Sequence, residues 1–375
     1  MLLNAADKAL WRLALPMIFS NITVPLLGLV DTAVIGHLDS PVYLGGVAVG
    51  ATATSFLFML LLFLRMSTTG LTAQAWGAKD PQRLARALVQ PLALALGAGV
   101  LIILLRLPLI DLALHIVGGS EAVLEQARRF LEIRWLSAPA SLANLVLLGW
   151  LLGVQYARAP VILLVVGNLL NIVLDLWLVM GLRMNVQGAA LATVTAEYAT
   201  LIIGLLMAKR VLTLRGVSLA MLKNAWRGDL RRLLALNRDI MLRSLLLQLC
   251  FGALTVFGAR LGSDIVAVNA VLMTMLTFTA YALDGFAYAV EAHSGQAYGA
   301  RDGSQLLEVW RAACRQSGMV ALAFALIYSL AGQYIIALLT SLPSLQQLAD
   351  RYLIWQTILP VVGVWCYLLD GMFIG

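Results

Sequence analysis

Long apolar stretches separated by short polar segments dominate this chain of 375 residues. Stretches of about 20 apolar residues are long enough to cross the roughly 30 Å hydrocarbon core of a bilayer. Most of them lack the polar positions that recur about every 3.6 residues on a helix of a soluble protein. We therefore predict an all-α polytopic membrane protein with ten spans, which cover residues 10–34, 43–66, 86–106, 124–152, 160–180, 187–208, 233–259, 265–290, 310–331 and 347–373.

One segment occurs twice: QAWGAKD at residues 74–80 returns as QAYGARD at residues 296–302, 222 residues later. Two other pairs match at nearly the same distance, namely LALP and LALN at residues 13–16 and 234–237, and VAVGA and VAVNA at residues 47–51 and 266–270. Such an internal repeat predicts two related helical bundles. The glycine of the doubled segment can end a helix, so we predict a structural turn that was duplicated with the fold.

The repeat divides the predicted spans into two lobes. Six spans precede the basic connection at residues 211–232, so both copies enter the membrane from the same side, as in a parallel pseudo-two-fold repeat. We expect a six-helix lobe at residues 1–210, a cytoplasmic linker at residues 211–232 and a second lobe at residues 233–375. Because Gly375 aligns with Gly153, we expect the second lobe to be incomplete, with four helices instead of six.

The composition agrees with a membrane protein, and the charges orient it. Hydrophobic residues make up 61% and charged residues 12% of the chain, against roughly 45–50% and 25% in soluble domains. The net charge of +7 could suggest a nucleic-acid partner, but the basic residues collect in alternate connections. With the N-terminus in the cytoplasm, 17 of them lie inside and 7 outside, as the positive-inside rule requires. We therefore expect the lipid bilayer as a partner and no nucleic acid.

The sequence lacks the patterns of an enzyme or a metal centre. The cysteines Cys250, Cys314 and Cys366 do not have the spacing of metal ligands, and the histidines are scattered. A phosphate-binding loop for ATP, clustered acids for Mg²⁺ and the Ser/His pairs of proteases are missing as well. We expect a protein that is not an enzyme and has no cofactor or metal.

Polar residues within the apolar spans are the candidate functional residues, because a carboxylate inside a membrane costs roughly 2.5–3.5 kcal/mol. Asp31 lies in the outer half of the first span, where it either carries a proton or caps the helix. Asn168, Asn171 and Asp175 are spaced three and four residues apart, so they share one face of the fifth helix. They form either part of a proton site or a hydrogen-bonded seam between helices. Asp31 and Asp175 lie at similar predicted depths, so a shared proton is compatible with their positions.

Three segments resemble the multidrug and toxic compound extrusion (MATE) family: LALPMIFSNITVPLLGLVDTAVIGHL at residues 13–38, the doubled QA[WY]GA[KR]D, and NLLNIVLDLWLVMG at residues 168–181. The resemblance implies twelve helices in two six-helix lobes around a central cavity, and it covers essentially the whole chain. It also implies roles for single residues. Asp31 matches the proton-binding aspartate of the first helix, Asn171 and Asp175 match members of the first-lobe proton network, and Asn144 resembles a further member.

Four other acids within spans are second-tier candidates: Glu197, Asp284, Glu291 and Asp370. An acid near the midplane, such as Glu197, has to pair or stay protonated. Some relatives carry a sodium-binding acid on the tenth helix, which Asp370 matches, but they also need one on the seventh, where this chain has Gln248. We therefore expect H⁺ rather than Na⁺ as the coupling ion. Arg65 and Arg243 are the available counter-charges for static salt bridges.

Two transport functions remain. The first is proton-coupled antiport that exports amphipathic, often cationic compounds across the cytoplasmic (inner) membrane of a bacterium. The alternative is a flippase for lipids or lipid-linked saccharides, which would need a strongly cationic central cavity. Only Arg65 and Arg243 lie within the spans for that purpose, so we favour the antiporter. We expect a monomer with small amphipathic substrates.

Overall fold

The computed structural model describes residues 5–36, 41–225 and 230–375; the side chains of residues 23–33, 36, 41, 219, 263 and 266 are outside this description. The α-helices, in chain order, are α1 (Ala5–Gly36), α2 (Pro41–Leu60), α3 (Phe63–Gly77), α4 (Pro81–Leu104), α5 (Arg106–Val117), α6 (Glu121–Arg134), α7 (Ala138–Gly153), α8 (Arg158–Asp175), α9 (Asn185–Leu214), α10 (Leu219–Asn224), α11 (Leu230–Leu261), α12 (Ser263–Gly299), α13 (Gly303–Leu339) and α14 (Pro343–Ile374). A 3₁₀ turn at Trp135–Ser137 joins α6 to α7, and a π-helical turn at Leu176–Gly181 follows α8.

The predicted membrane architecture is confirmed. Nine stretches of the described residues are long and apolar enough to cross a bilayer, and they coincide with the second to tenth predicted spans. The first predicted span lies within α1. Several helices extend past their predicted ends: α12 and α13 each have 37 residues. At about 1.5 Å per residue they are longer than a bilayer core of about 30 Å, so their ends reach beyond it.

The helix boundaries repeat along the chain. The stretches α2–α3, α4–α5 and α6–α7 begin at Pro41, Pro81 and Glu121, and α12, α13 and α14 begin 222 residues later, at Ser263, Gly303 and Pro343. The three stretches of the first copy are each interrupted, at residues 61–62, at residue 105 and at residues 135–137. Their counterparts in the second copy are continuous helices.

The doubled segment forms the same turn in both copies. Asp80 caps α4 by accepting hydrogen bonds from two backbone N–H groups, at 3.1 and 3.3 Å, and Asp302 caps α13 by accepting one at 3.1 Å. The preceding basic residues, Lys79 and Arg301, have φ values of 54° and 55°. The predicted structural turn is therefore confirmed, but its left-handed residue is the basic one and not the glycine.

Contacts divide the chain into two compact units, which we call the N-unit and the C-unit. The N-unit comprises Thr23–Met241, and the C-unit comprises Met1–Ile22 together with Leu242–Gly375. Both boundaries fall inside a helix, so α1 and α11 each contribute to both units. The predicted lobes at residues 1–210 and 233–375 follow the repeat rather than the contacts, and they stay a prediction.

In the C-unit, the first half of α1 is attached to α12 and α13 by polar and aromatic contacts. Trp11 Nε1 donates a hydrogen bond of 2.8 Å to the Gln316 side chain, and its ring meets Phe286 edge-on at 4.9 Å between centroids. Arg315 forms an ion pair of 3.2 Å with the buried Asp7. These contacts explain why residues before 23 group with the second copy.

Close helix contacts recur at equivalent positions of the two copies. A Cβ added to Gly149 of α7 would lie 2.6 Å from the carbonyl oxygen of Arg65 on α3. A Cβ added to Gly371 of α14 would lie 2.5 Å from the carbonyl oxygen of Ala287 on α12. Because such distances are too short for any side chain, both copies need glycine at this crossing.

Candidate functional site

A cavity between α7, α8 and α9 of the N-unit brings four candidate residues together. Its volume is about 270 Å³. Asn144 of α7, Asn168 and Asn171 of α8 and Glu197 of α9 supply its amide and acid groups. The remaining lining residues are Leu148, Pro160, Leu163, Leu164, Gly167, Thr193, Ala196 and Thr200. Apolar walls with a few convergent polar groups are typical of small-molecule sites.

Glu197 is held at the edge of this cavity by two partners. Asn144 Nδ2 donates to Glu197 Oε2 at 3.0 Å and to the Glu197 backbone oxygen at 3.1 Å. Arg134 Nη2 lies 3.9 Å from Glu197 Oε1, and its side chain is only 12% exposed. When two opposite charges are largely shielded from water, each compensates the other, and removing one of them leaves an uncompensated charge. The expectation that Glu197 has to be paired is therefore met by an arginine and an asparagine.

Arg134 is the residue of this site that the sequence analysis missed. Counting positive charges placed it among the residues of an outer connection. In the structure it forms the last turn of α6, directly before the 3₁₀ turn that leads into α7. Because Arg134 lies within the predicted span 124–152, the count that left only Arg65 and Arg243 inside the spans omitted it.

Asn171 and Asp175 lie one turn apart at the end of α8 and are 2% and 1% exposed. The π-helical turn begins directly after Asp175, and there the Leu182 N–H donates to the Trp177 oxygen, five residues back, at 2.9 Å. Within the described part of the chain, Asn171 Oδ1 has no hydrogen-bond partner. Such π-helical turns are frequent at functional sites, where they reorient the side chains beside them.

Asp31 lies on α1, five residues before the helix ends at Gly36, in the part of α1 that belongs to the N-unit. Its side chain is outside the described residues. Its predicted role thus stays a prediction, as do those of Asp175, Asn144, Asn168 and Asn171.

The second-tier acids other than Glu197 belong to the C-unit. Asp370 of α14 forms an ion pair with Arg243 of α11, so Arg243 is the counter-charge that the sequence suggested. Asp284 and Glu291 lie seven residues apart on α12, the first half-buried and the second 1% exposed. Among the residues that the structure describes, no three His, Cys, Asp or Glu side chains are grouped to hold a metal ion.

Comparison with known proteins identifies the family to which this architecture belongs. A model of the MatE family matches residues 16–177 and 240–375. The chain belongs to the MatE family. MATE proteins are transporters and not enzymes, so the chain is a multi-pass membrane protein of a multidrug-efflux transporter family.

Relatives of known sequence and structure span most of the chain. It is 88% identical over 373 residues to the DNA damage-inducible protein F of Escherichia coli (strain K12), which confirms the resemblance; the alignment covers 100% of the chain and 81% of that MATE protein. It is 22% identical over 366 residues to a probable multidrug resistance protein NorM of Acinetobacter baylyi, covering 96% of the chain and 80% of the relative. A MATE protein crystallised in complex with MaD3S superposes with a TM-score of 0.83 at 25% identity, over 99% of this chain and 82% of the other.

Proposed function

We propose that the protein is a proton-coupled antiporter that exports amphipathic, often cationic compounds. The observation that carries this proposal is that Asn171 and Asp175 are buried one turn apart on α8 and that Asn171 lines a cavity of about 270 Å³. The N-unit, which contains this cavity, also contains Asp31 of α1. A relative named as a probable multidrug resistance protein adds support for the substrate class.

In this proposal, the carboxyl groups of Asp31 and Asp175 take up and release H⁺. Protonation removes a negative charge from a region of low dielectric constant, where charges interact strongly. The loss of that charge weakens the attraction for a cationic substrate, so proton uptake and substrate release are coupled. Asn171 Oδ1, which accepts no hydrogen bond from the described residues, is placed to accept one from a protonated carboxyl group or from the substrate.

The pairing of Glu197 supports a division of roles within the cavity. Arg134 and Asn144 already neutralise and hydrogen-bond the Glu197 carboxylate. We assign to Glu197 the shape and polarity of the cavity wall, and we assign the titrating role to Asp31 and Asp175 because these two match the proton-binding residues of the family.

The setting of this transport is part of the proposal. We place the protein as a monomer in the inner membrane of a bacterium, with its N-terminus in the cytoplasm and no bound cofactor. H⁺ rather than Na⁺ is the coupling ion, because residues 242–256 of α11 include Gln248 and no acid.

Efflux from proteoliposomes tests this function. With an imposed pH gradient, wild-type protein should transport a fluorescent organic cation, and Asp31→Asn should reduce the rate at least about tenfold, equivalent to roughly 1.4 kcal/mol. Asp111→Asn is the matched control, since this acid lies on the short helix α5 and forms an exposed ion pair with Arg128. Equal efflux by wild type and Asp31→Asn would contradict the proposal.

The flippase alternative has less support. It needs several unpaired cations in a central cavity, whereas Arg243 is paired with Asp370 and the buried Arg65 donates to Thr69 at 3.3 Å on its own helix. In the same vesicles, movement of a fluorescent lipid without movement of the organic cation would favour the flippase.

A further inference from the structure

A cleft in the N-unit, which we call the arginine cleft, lies where α3 ends and where α4 and α11 begin. It has a volume of about 70 Å³ and is lined by Arg83, Arg86 and Arg232, together with Gln90 and apolar residues. Like charges repel at short range, and an anion that lies between them offsets this repulsion. Three guanidinium groups around one cleft therefore create a strong local preference for a negatively charged ligand.

The described residues do not neutralise two of these arginines. No carboxylate lies within ion-pair distance of Arg83 or Arg86 in the described part of the chain, and Arg86 Nε is buried without a hydrogen-bond acceptor there. The nearby carboxylate of Asp80 accepts from backbone N–H groups at the start of α4. Arg232 is oriented by Gln74 of the doubled segment, which accepts a hydrogen bond of 3.4 Å from it.

The repeat supplies an internal comparison. The equivalent cleft of the C-unit has a volume of about 140 Å³, against about 70 Å³ for the arginine cleft, and it lies at the corresponding helix ends. At the positions of Arg83 and Arg86, 222 residues later, it has Gln305 and Glu308. The fold therefore forms this cleft in both copies without requiring arginine, so its geometry alone does not account for the cations.

The positive-inside rule does not account for the arrangement either. That rule favours arginines near a membrane surface, where their charged ends remain in water. Arg215, which also lies near the doubled segment, has a partner within the protein, because its guanidinium stacks on Trp76 at 3.5 Å from the ring centroid. Arg86 instead buries an N–H donor beside two other cations in an open cleft.

We propose that the arginine cleft binds a phosphate group. Guanidinium groups bind phosphate oxygens through paired, charge-assisted hydrogen bonds, which Arg makes better than Lys. The group is supplied either by an anionic phospholipid or by a free phosphate ion. Basic pockets between membrane helices are known to bind anionic lipid head groups, and the apolar walls of the cleft suit such a ligand. This site is separate from the cavity between α7, α8 and α9 and does not depend on proton coupling.

Titration of the purified full chain in detergent tests the proposal. The probes are dioctanoyl phosphatidylglycerol, dioctanoyl phosphatidylcholine and inorganic phosphate, and the measurement is the Kd by calorimetry. We expect phosphatidylglycerol to bind and phosphatidylcholine not to bind. Competition by inorganic phosphate at comparable affinity identifies the free ion as the ligand, and its failure to compete identifies the lipid head group.

Variants assign the binding to the cleft. Arg83→Gln combined with Arg86→Gln should weaken the affinity for phosphatidylglycerol at least about tenfold, since hydrogen bonds to charged groups are the strong ones. Gln305→Ala combined with Glu308→Gln changes the equivalent cleft and should leave the affinity unchanged. If the first variant does not fold, Arg86→Lys keeps the charge but removes the planar donor fork, and it should lose affinity severalfold. Equal affinity of wild type and the arginine variants, or equal binding of both lipids, would overturn the proposal.

Discussion

The two copies of the repeat share their helix positions and their closest contacts. They differ in the continuity of their helices and in the partners of their polar residues. In the first copy, three long stretches are interrupted, and the N-unit contains a cavity lined by three asparagines and Glu197. In the second copy, the same stretches are continuous, and Asp370 is paired with Arg243. Irregular backbone at membrane depth is tolerated only inside protein or beside a cavity. The difference teaches that a duplicated scaffold can keep its closest helix contacts while the continuity of its helices changes.

The largest expected effect is a difference in transport rate between variants of the first copy and variants of the second copy. Asp175→Asn should reduce efflux driven by a pH gradient at least about tenfold, because it removes a buried titratable group from the proposed proton site. Asp370→Asn combined with Arg243→Gln removes a pair of opposite charges from the second copy and should retain most of the activity. Vesicle assays at matched protein content measure both. A second-copy variant that is as defective as Asp175→Asn would break the comparison.

A smaller effect tests the shared packing. Gly149→Ala and Gly371→Ala should each destabilise the protein by roughly 1–3 kcal/mol, because the added methyl group has to push apart two closely packed helices. Similar losses are expected for the two, since each glycine faces a backbone oxygen at nearly the same distance. Thermal unfolding in detergent measures the loss, and Gly97→Ala is the control because its Cβ would meet nothing within 4 Å.

The smallest effect concerns the doubled turn. Asp80→Ala and Asp302→Ala each remove the cap of a helix and should cost about 1 kcal/mol. The loss should be slightly larger for Asp80, which accepts two hydrogen bonds from backbone N–H groups. The same unfolding measurement resolves the order, and a larger loss for Asp302→Ala would show that contacts other than the cap determine stability there.

The sequence predicted the spans well because apolar length is a strong signal, and it predicted the repeat because one heptapeptide survived in both copies. It did not predict the interruptions at residues 61–62, 105 and 135–137, since apolar residues continue across or next to them. Helix α5 was missed for the opposite reason, because its 12 residues are too few to cross a membrane.

The candidate site was predicted only in part. The spacing of Asn168, Asn171 and Asp175 placed them on one helix, but no local pattern indicated the π-helical turn that follows. The pairing of Glu197 with Arg134 joins residues 63 positions apart, on different helices, and a charge count by connection concealed it. Contacts of this kind depend on how helices pack, which hydropathy alone does not encode.

The division of α1 between the two units has a consequence for how the protein is made. Residues up to Ile22 leave the ribosome well before the segment on which they pack, which begins only at Leu242. At about 5–20 residues per second, synthesis of the intervening chain takes roughly 10–45 s. During that interval, half of the first helix lies in the membrane without its final neighbours, so maturation of the C-unit has to wait until translation is well advanced.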